Sequence, residues 1–136
     1  MKFLSRLSLV VLGLSLVACG AANVKQQDSL KEAVLLFNEG VRWGRLQDVI
    51  PRVSPDYSAH FVEMHKAFGK DIQISDYEIV NTTADWKKKQ AEVTVQITWY
   101  RQTEMEVFTT VLSQRWEESG VDWVMVAESY VSGEPF

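Results

Sequence analysis

The spacing of apolar residues changes twice along this chain. A nearly continuous apolar run covers residues 7–18. Between residues 30 and 68 apolar positions recur at helical spacing, and between residues 72 and 130 they alternate as they do in strands. Helices followed by a run of strands predict an α+β fold, with N-terminal helices packed on a curved, cone-like antiparallel sheet of about four strands.

The helical part opens with a capping-box pattern. Ser29 is followed three residues later by Glu32, so we expect the first helix to begin at Ser29. Its apolar positions continue at helical spacing to residues 40–44, where glycines end the pattern. A second, short helix over residues 45–50 is then stopped by Pro51.

A third helix is predicted over residues 55–68. Ser54 is a favourable N-cap, and the proline that follows it suits the first helical position. The large side chains expected on one face of this helix are Tyr57, Phe61, Met64, His65 and Phe68.

Four strands are predicted after residue 70. They cover about residues 72–80, 91–99, 104–116 and 121–130, with a polar connection at residues 81–90 and a short hairpin loop at 117–120. The last two strands carry apolar residues on both faces, with Met105, Val107 and Val111 opposite Phe108, Leu112 and Trp116. We therefore expect the sheet to be covered twice, by the helices and by a partner subunit or the C-terminal tail.

The N-terminal run has the layout of a bacterial export signal. Lys2 and Arg6 precede it, and it is too short to span a bilayer as a mature helix. It closes with Leu-Val-Ala-Cys-Gly at residues 16–20, which resembles the lipobox of bacterial lipoproteins. The resemblance implies that Cys19 is acylated, with chains such as palmitate, and becomes the new N-terminus. It also implies a lipid-anchored position in the cell envelope, on the periplasmic side of the outer membrane in a Gram-negative organism.

These patterns divide the chain into four parts. We predict a signal peptide over residues 1–18, a flexible tether over 19–28, one domain over 29–131 and a C-terminal tail over 132–136. Loss of the signal would change the net charge from −4 to about −6, which argues against nucleic acid as a partner. Cys19 is the only cysteine, so no disulfide can form within one chain.

The order of elements resembles the nuclear-transport-factor-2-like superfamily, also called cystatin-like α+β cones. The resemblance includes the segment of residues 114–125, in which Trp116, Gly120 and Trp123 are similar to the last hairpin of many such domains. It implies a fold rather than an activity, because the superfamily contains isomerases, dehydratases, transport adaptors and binding modules.

Enzymes of this superfamily place acid–base groups inside the cone. The catalytic candidates here are His65, Asp76 and Tyr57, with His65 and Asp76 as a proton-transfer pair if both face one pocket. The alternative for His65 is a packed histidine whose ring nitrogen is hydrogen-bonded at the edge of the core. The ligand-binding candidates are Tyr77, Trp99 and Tyr100.

No metal or cofactor motif is present in the sequence, and we expect neither group. His60 and His65 are five residues apart and fall on different helix faces. The lysines of residues 87–89 are expected to keep a hairpin loop solvated, with contact to anionic groups as the alternative. Of the tryptophans, we expect Trp99, Trp116 and Trp123 in the core and Trp43 and Trp86 near exposed turns.

The sequence leaves three functions open. The first is a non-catalytic, lipid-anchored module that binds an envelope protein or a small apolar ligand. The second is a small isomerase or dehydratase, and the third is a dimerising component of an envelope assembly. The lack of a complete catalytic set in the sequence favours the first and the third over an enzyme.

The lipobox generates a direct prediction. Replacing Cys19 by serine should abolish metabolic labelling with an alkyne fatty acid and release the protein from the membrane fraction, because a serine is not a lipobox acceptor. Labelling and fractionation of cells that express the wild-type and Cys19→Ser chains measure both effects. An unchanged membrane fraction would contradict the anchor.

Overall fold

The computed structural model describes residues 18–136, which form an α+β fold of three helices followed by a four-stranded antiparallel sheet. The helices are α1 (Ala18–Arg42), α2 (Leu46–Val49) and α3 (Pro55–His65), with a short 3₁₀ turn at Ile50–Arg52. The strands are β1 (Ile72–Asp85), β2 (Gln90–Arg101), β3 (Val107–Ser119) and β4 (Asp122–Gly133), paired in the order β1-β2-β3-β4. The predicted signal peptide and the side chain of Cys19 lie outside the described residues, apart from Ala18, where α1 begins.

Helix α1 begins well before the predicted start at Ser29, so the predicted tether is helical. Half of the residues in this segment are alanine, lysine or glutamine, which are good helix formers, and each added residue extends an existing hydrogen-bonded helix. Ser29 therefore lies inside the helix instead of capping it. The extension is held on the sheet by Gln26, whose Nε2 donates to Glu118 Oε2 over 3.1 Å. No helix in the described part of the chain is long and apolar enough to cross a membrane.

The predicted apolar face of α1 is confirmed. Its buried residues are Leu30, Ala33, Val34, Phe37 and Val41. Helix α3 agrees less closely, because it ends at His65 and leaves Met64 37% exposed, although Phe61, His65 and Phe68 are buried as predicted. Ser54 has the extended backbone of an N-cap, but its side chain makes no capping hydrogen bond.

The first two strands are longer than predicted. Residues 81–85 continue β1 and pair with β2, so the polar connection shrinks to the four-residue turn 86–89. Thr82, for example, is paired with Val93. Backbone hydrogen bonds rather than side-chain polarity decide strand length here, and threonine is itself a good strand former. The C-terminal strand β4 likewise extends to Gly133, into the segment predicted as tail.

The outer face of the sheet is not the second apolar layer that the sequence suggested. Met105 lies before β3 and is fully exposed, and Val107 is 65% exposed, whereas Phe108 packs inward on Trp99. The outward residues of β2 are the polar Glu92, Thr94, Gln96 and Thr98. The helices therefore cover one face, and the other is a largely polar, partly exposed surface.

Aromatic residues dominate the core between the helices and the inner face of the sheet. Trp99, Trp116 and Trp123 are completely buried, which confirms their predicted role in packing. Phe37 of α1 lies edge-on to Trp116 at 5.3 Å between ring centroids and also contacts Phe61 of α3 at 5.6 Å. The three elements are thus fixed to one another through a single aromatic cluster.

Two glycines are in contact where the turn after α1 passes the turn before β1. Gly44 and Gly69 both have positive φ, at +65° and +76°. A Cβ on Gly44 would lie 2.6 Å from the Cα of Gly69, so neither position has room for a side chain.

Gly44 and Gly120 have nearly the same φ but different space around them, so alanine at the two positions should lower the free energy of unfolding by different amounts. Gly120 has φ +66° but open space around it, so Gly120→Ala should cost only the backbone strain of about 1 kcal/mol. Gly44→Ala should cost about 1–3 kcal/mol more, because the backbones must separate. Urea unfolding of the two variants, followed by tryptophan fluorescence, gives both values. Equal losses would show that the crossing is not a tight constraint.

Candidate functional site

A chain of polar side chains crosses the otherwise apolar interior. We call Asn38, His65, Gln114 and Glu128 the interior polar network. They come from α1, α3, β3 and β4, and their side chains are all buried. The Nε2 of Gln114 donates to Asn38 Oδ1 and to Glu128 Oε2, each over 2.9 Å. Asn38 Nδ2 in turn donates to Gln114 Oε1 over 3.2 Å and to the Val34 carbonyl over 2.8 Å.

His65 and Glu128 form the ionisable end of this network. Their Nε2 and Oε1 atoms are 2.9 Å apart, although not aligned as a linear hydrogen bond. The Nδ1 of His65 lies 2.9 Å from the carbonyl oxygen of Phe61, which can only accept, so Nδ1 carries a proton. A favourable contact with Glu128 then needs a second proton between Nε2 and Oε1, as in an imidazolium–carboxylate pair.

Aromatic rings and the C-terminal residues enclose His65. Its ring stacks on Phe61 at 4.1 Å and meets Phe68 edge-on at 4.8 Å between ring centroids. Phe136 lies 6.3 Å from the His65 ring and 4.8 Å from Phe68. The segment predicted as a tail is therefore packed over the open end of the sheet.

Hydrogen bonds hold residues 133–136, which we call the closing segment, in place. The amide of Glu134 donates to the Thr109 carbonyl over 3.0 Å, and the hydroxyl of Thr110 donates to the Glu134 carbonyl. The turn into the segment is made by Gly133, whose φ is +92°. A Cβ at Gly133 would clash with Thr109 O at 2.1 Å, so only glycine allows this return.

The predicted pair of His65 and Asp76 is not formed. Asp76 is exposed on β1, where its carboxylate lies 4.0 Å from Arg42, while His65 is paired with Glu128. Strict alternation from Trp123 and Met125 would put Glu128 on the outer face. A β-bulge at Val126 reverses the alternation and turns Glu128 inward. Sequence reasoning missed Glu128 for this reason.

The tyrosine and tryptophan candidates do not converge on one site. Trp99 is buried, and its indole donates to Thr110 Oγ1 over 2.8 Å, while Tyr100 points to the opposite, partly exposed face. The Tyr57 hydroxyl donates to the Glu128 carbonyl over 3.0 Å, and burial raises its pKa. Burial and the Glu39 carboxylate raise the pKa of Tyr77. Both tyrosines therefore stay neutral at physiological pH, and their stabilisation would fade only as the pH rises above the ordinary value of 10.0.

An open groove lies outside the cone, between α1 and the edge strand β1. This α1–β1 groove has a volume of about 380 Å³. It is lined by Gln27, Leu30, Lys31, Val34, Leu35, Ile79, Thr82, Ala84 and Trp86. Leu35 is 42% exposed there, and Trp86 is half-buried against the edge of Trp123 at 6.2 Å. The groove exists because β1 is an edge strand of the sheet and α1 covers the inner face of β1 only in part.

The two features differ in what they can do chemically. The interior polar network has its hydrogen-bonding groups directed at one another and is covered by aromatic rings. The groove instead presents apolar and cationic groups to the outside. Within residues 18–136, no group of three or more histidine, cysteine, aspartate or glutamate residues is placed to hold a metal ion.

The fold is similar to two solved structures at very low sequence identity. One is the solution structure of RPA3114, a SEC-C motif containing protein from Rhodopseudomonas palustris, with a TM-score of 0.59, 7% identity, and coverage of 70% of this chain and 73% of that one. The other is the crystal structure of a protein assigned as a Ca/calmodulin-dependent kinase II association domain from Exiguobacterium sibiricum 255-15. Its TM-score is 0.57, with 13% identity and coverage of 85% of this chain and 96% of that one.

These similarities concern the fold alone. They agree with the predicted α+β fold, in which helices are followed by an antiparallel sheet of four strands. The chain matches no protein-family model and no curated protein sequence.

The interior polar network predicts coupled losses of stability. Glu128→Leu should lower the free energy of unfolding by about 1–3 kcal/mol, because Gln114 Nε2 and His65 Nε2 each lose a buried partner. The double variant His65→Leu/Glu128→Leu should lose less than the sum of the two single losses, by about 1 kcal/mol or more. Urea unfolding tests this, with the exposed Glu78→Leu as a control that should change by less than about 0.5 kcal/mol. Simple additivity would mean that the two side chains do not interact.

Proposed function

We propose that this protein is a lipid-anchored binding module of the bacterial cell envelope and that its ligand surface is the α1–β1 groove. The observation that carries the proposal is the contrast between a cone filled by its own side chains and an open apolar groove beside it. A non-catalytic role follows from this contrast, since binding needs an accessible surface and acid–base catalysis needs an accessible acid or base.

The surroundings of His65 support a non-catalytic role, because both of its ring nitrogens face other groups of the protein. Its Nδ1 faces the Phe61 carbonyl, its Nε2 faces Glu128, and Phe136 packs across the opening. A substrate would have to displace the closing segment and break the buried pair before it could contact the ring. Both changes cost stability, so the network is better suited to fixing the fold than to proton transfer.

The anchor is supported by the lipobox and by the course of α1. The helix runs without interruption from Ala18 to Arg42, so only about 12 Å of helix separates Cys19 from Gln27 at the start of the groove. A lipid on Cys19 would hold the groove close to the membrane. Multiple acyl chains make such an anchor stable.

An enzyme of the isomerase or dehydratase type is the second candidate. The observation that favours it is the buried His65–Glu128 pair itself, because a histidine beside a carboxylate is a common general base. In this reading Glu128 takes the place that the sequence suggested for Asp76. Catalysis would then require the segment that carries Phe136 to move away.

Site-specific photo-cross-linking in living cells tests the binding function. A photoreactive phenylalanine in place of Leu35 should give discrete adducts on irradiation, because this side chain lies in the groove. The same substitution at Glu63, which is exposed on α3, is the control and should give none. Equal adducts at both positions, or none at Leu35, would contradict the proposal. An adduct between two copies of the chain would favour the assembly role instead.

A further inference from the structure

We propose that the α1–β1 groove binds a single-chain anionic amphiphile, with the alkyl chain along the groove and the anionic head beside the lysines of the β1–β2 turn. This inference rests on the proposed binding function and names its ligand class. Three features of the groove support it: the apolar lining, the lysines at one end without ion-pair partners among residues 18–136, and the concave shape.

The lining fits an alkyl chain. Six of its nine residues are apolar, namely Leu30, Val34, Leu35, Ile79, Ala84 and Trp86, and none is a carboxylate. The walls run for about 12 Å along α1 and about 16 Å along β1. A volume of about 380 Å³ falls within the range of small-molecule sites. An extended apolar chain would therefore cover surface that is now exposed, including Leu35.

Positive charge collects at the Trp86 end of the groove. Lys31 lines the groove, and Trp86 is followed directly by the exposed turn lysines 87–89. These are four of the seven lysines between residues 18 and 136, in a chain whose net charge is −4. Within that range none of the four is in an ion pair. An anionic head group is the complement that such a cluster lacks.

The nearby carboxylates Asp85 and Glu118 accept hydrogen bonds from amide groups rather than from these lysines. Asp85 Oδ1 accepts hydrogen bonds from the backbone amides of Lys87 and Lys88, at 3.1 and 3.0 Å. Glu118 accepts one from Gln26. Both carboxylates keep their negative charge, but in the described part of the chain neither lies within ion-pair distance of a lysine of the cluster, so the ammonium groups can still pair with a ligand.

The concave shape favours a single chain over two macromolecular partners. A flat anionic bilayer would contact the lysines but leave the floor of the groove empty. An acidic peptide would use the free edge of β1, but the bulge at Val80 interrupts that edge beside the groove. An alkyl chain with one anionic head needs neither a flat surface nor a regular edge.

Photoaffinity labelling tests the ligand class on the full lipidated chain in phosphatidylcholine nanodiscs. A photoreactive dodecanoate should label peptides that contain residues 27–35 and 79–86, and unlabelled dodecanoate should compete. Dodecyltrimethylammonium, which has the same chain and a positive head, should compete at least about tenfold less well. The double variant Lys31→Glu/Lys88→Glu should reduce dodecanoate labelling by at least about tenfold, whereas Lys66→Glu/Lys70→Glu, outside the groove, should not.

The arms of the experiment separate the alternatives. Labelling by photoreactive phosphatidylglycerol within the nanodisc, without labelling by dodecanoate, would overturn the proposal in favour of membrane docking. No labelling by dodecanoate, together with protein adducts at Leu35 in cells, would overturn the ligand class and leave the binding function standing. Absence of both signals would overturn the ligand class and the binding function together.

Discussion

The buried carboxylate of Glu128 is the constraint on which the interior of this protein depends. A carboxylate removed from water is costly unless each oxygen finds a partner, and here one oxygen accepts from Gln114 while the other faces His65. Gln114 is in turn held by Asn38 of α1, and His65 by the Phe61 carbonyl of α3. A single charge on β4 thus ties both long helices to the two last strands.

The same constraint accounts for the filled interior of the cone. Four polar side chains and the aromatic rings around them occupy the space in which a related fold could hold a ligand. Phe136 completes the enclosure by packing on Phe68 and on Trp99, at 4.8 and 5.7 Å between ring centroids. The side chains that fix the packing of the core also fill the volume that a ligand would need. The accessible apolar surface lies instead at the edge of the helix layer, where α1 leaves β1 partly uncovered.

Sequence patterns predicted those parts of the fold in which one local rule applies throughout. The apolar stripe of α1 and the alternation of β2 are of this kind, and both elements face the core as expected. The pattern was wrong where tertiary contacts decided the outcome. Residues 20–28 have no apolar period and yet are helical, since they extend α1 and are docked by Gln26. The C-terminal tail was expected to cover the second face of the sheet if a partner subunit did not, but Phe136 packs instead on His65 and Phe68 at the core.

The candidate sites were missed for a more specific reason, which is that both depend on β-bulges. The central pair β2–β3 is regular, and every irregularity of the sheet adds a residue to an edge strand. At Val126 of β4 the extra residue turns Glu128 inward and so creates the interior polar network. At Val80 of β1 it brings Thr82 and Ala84, rather than their neighbours, to the wall of the groove. The alternation pattern does not indicate either bulge, because a valine such as Val80 or Val126 suits either face of a strand. One of the two bulges in each edge strand therefore determines which side chains the sheet encloses and which line the groove.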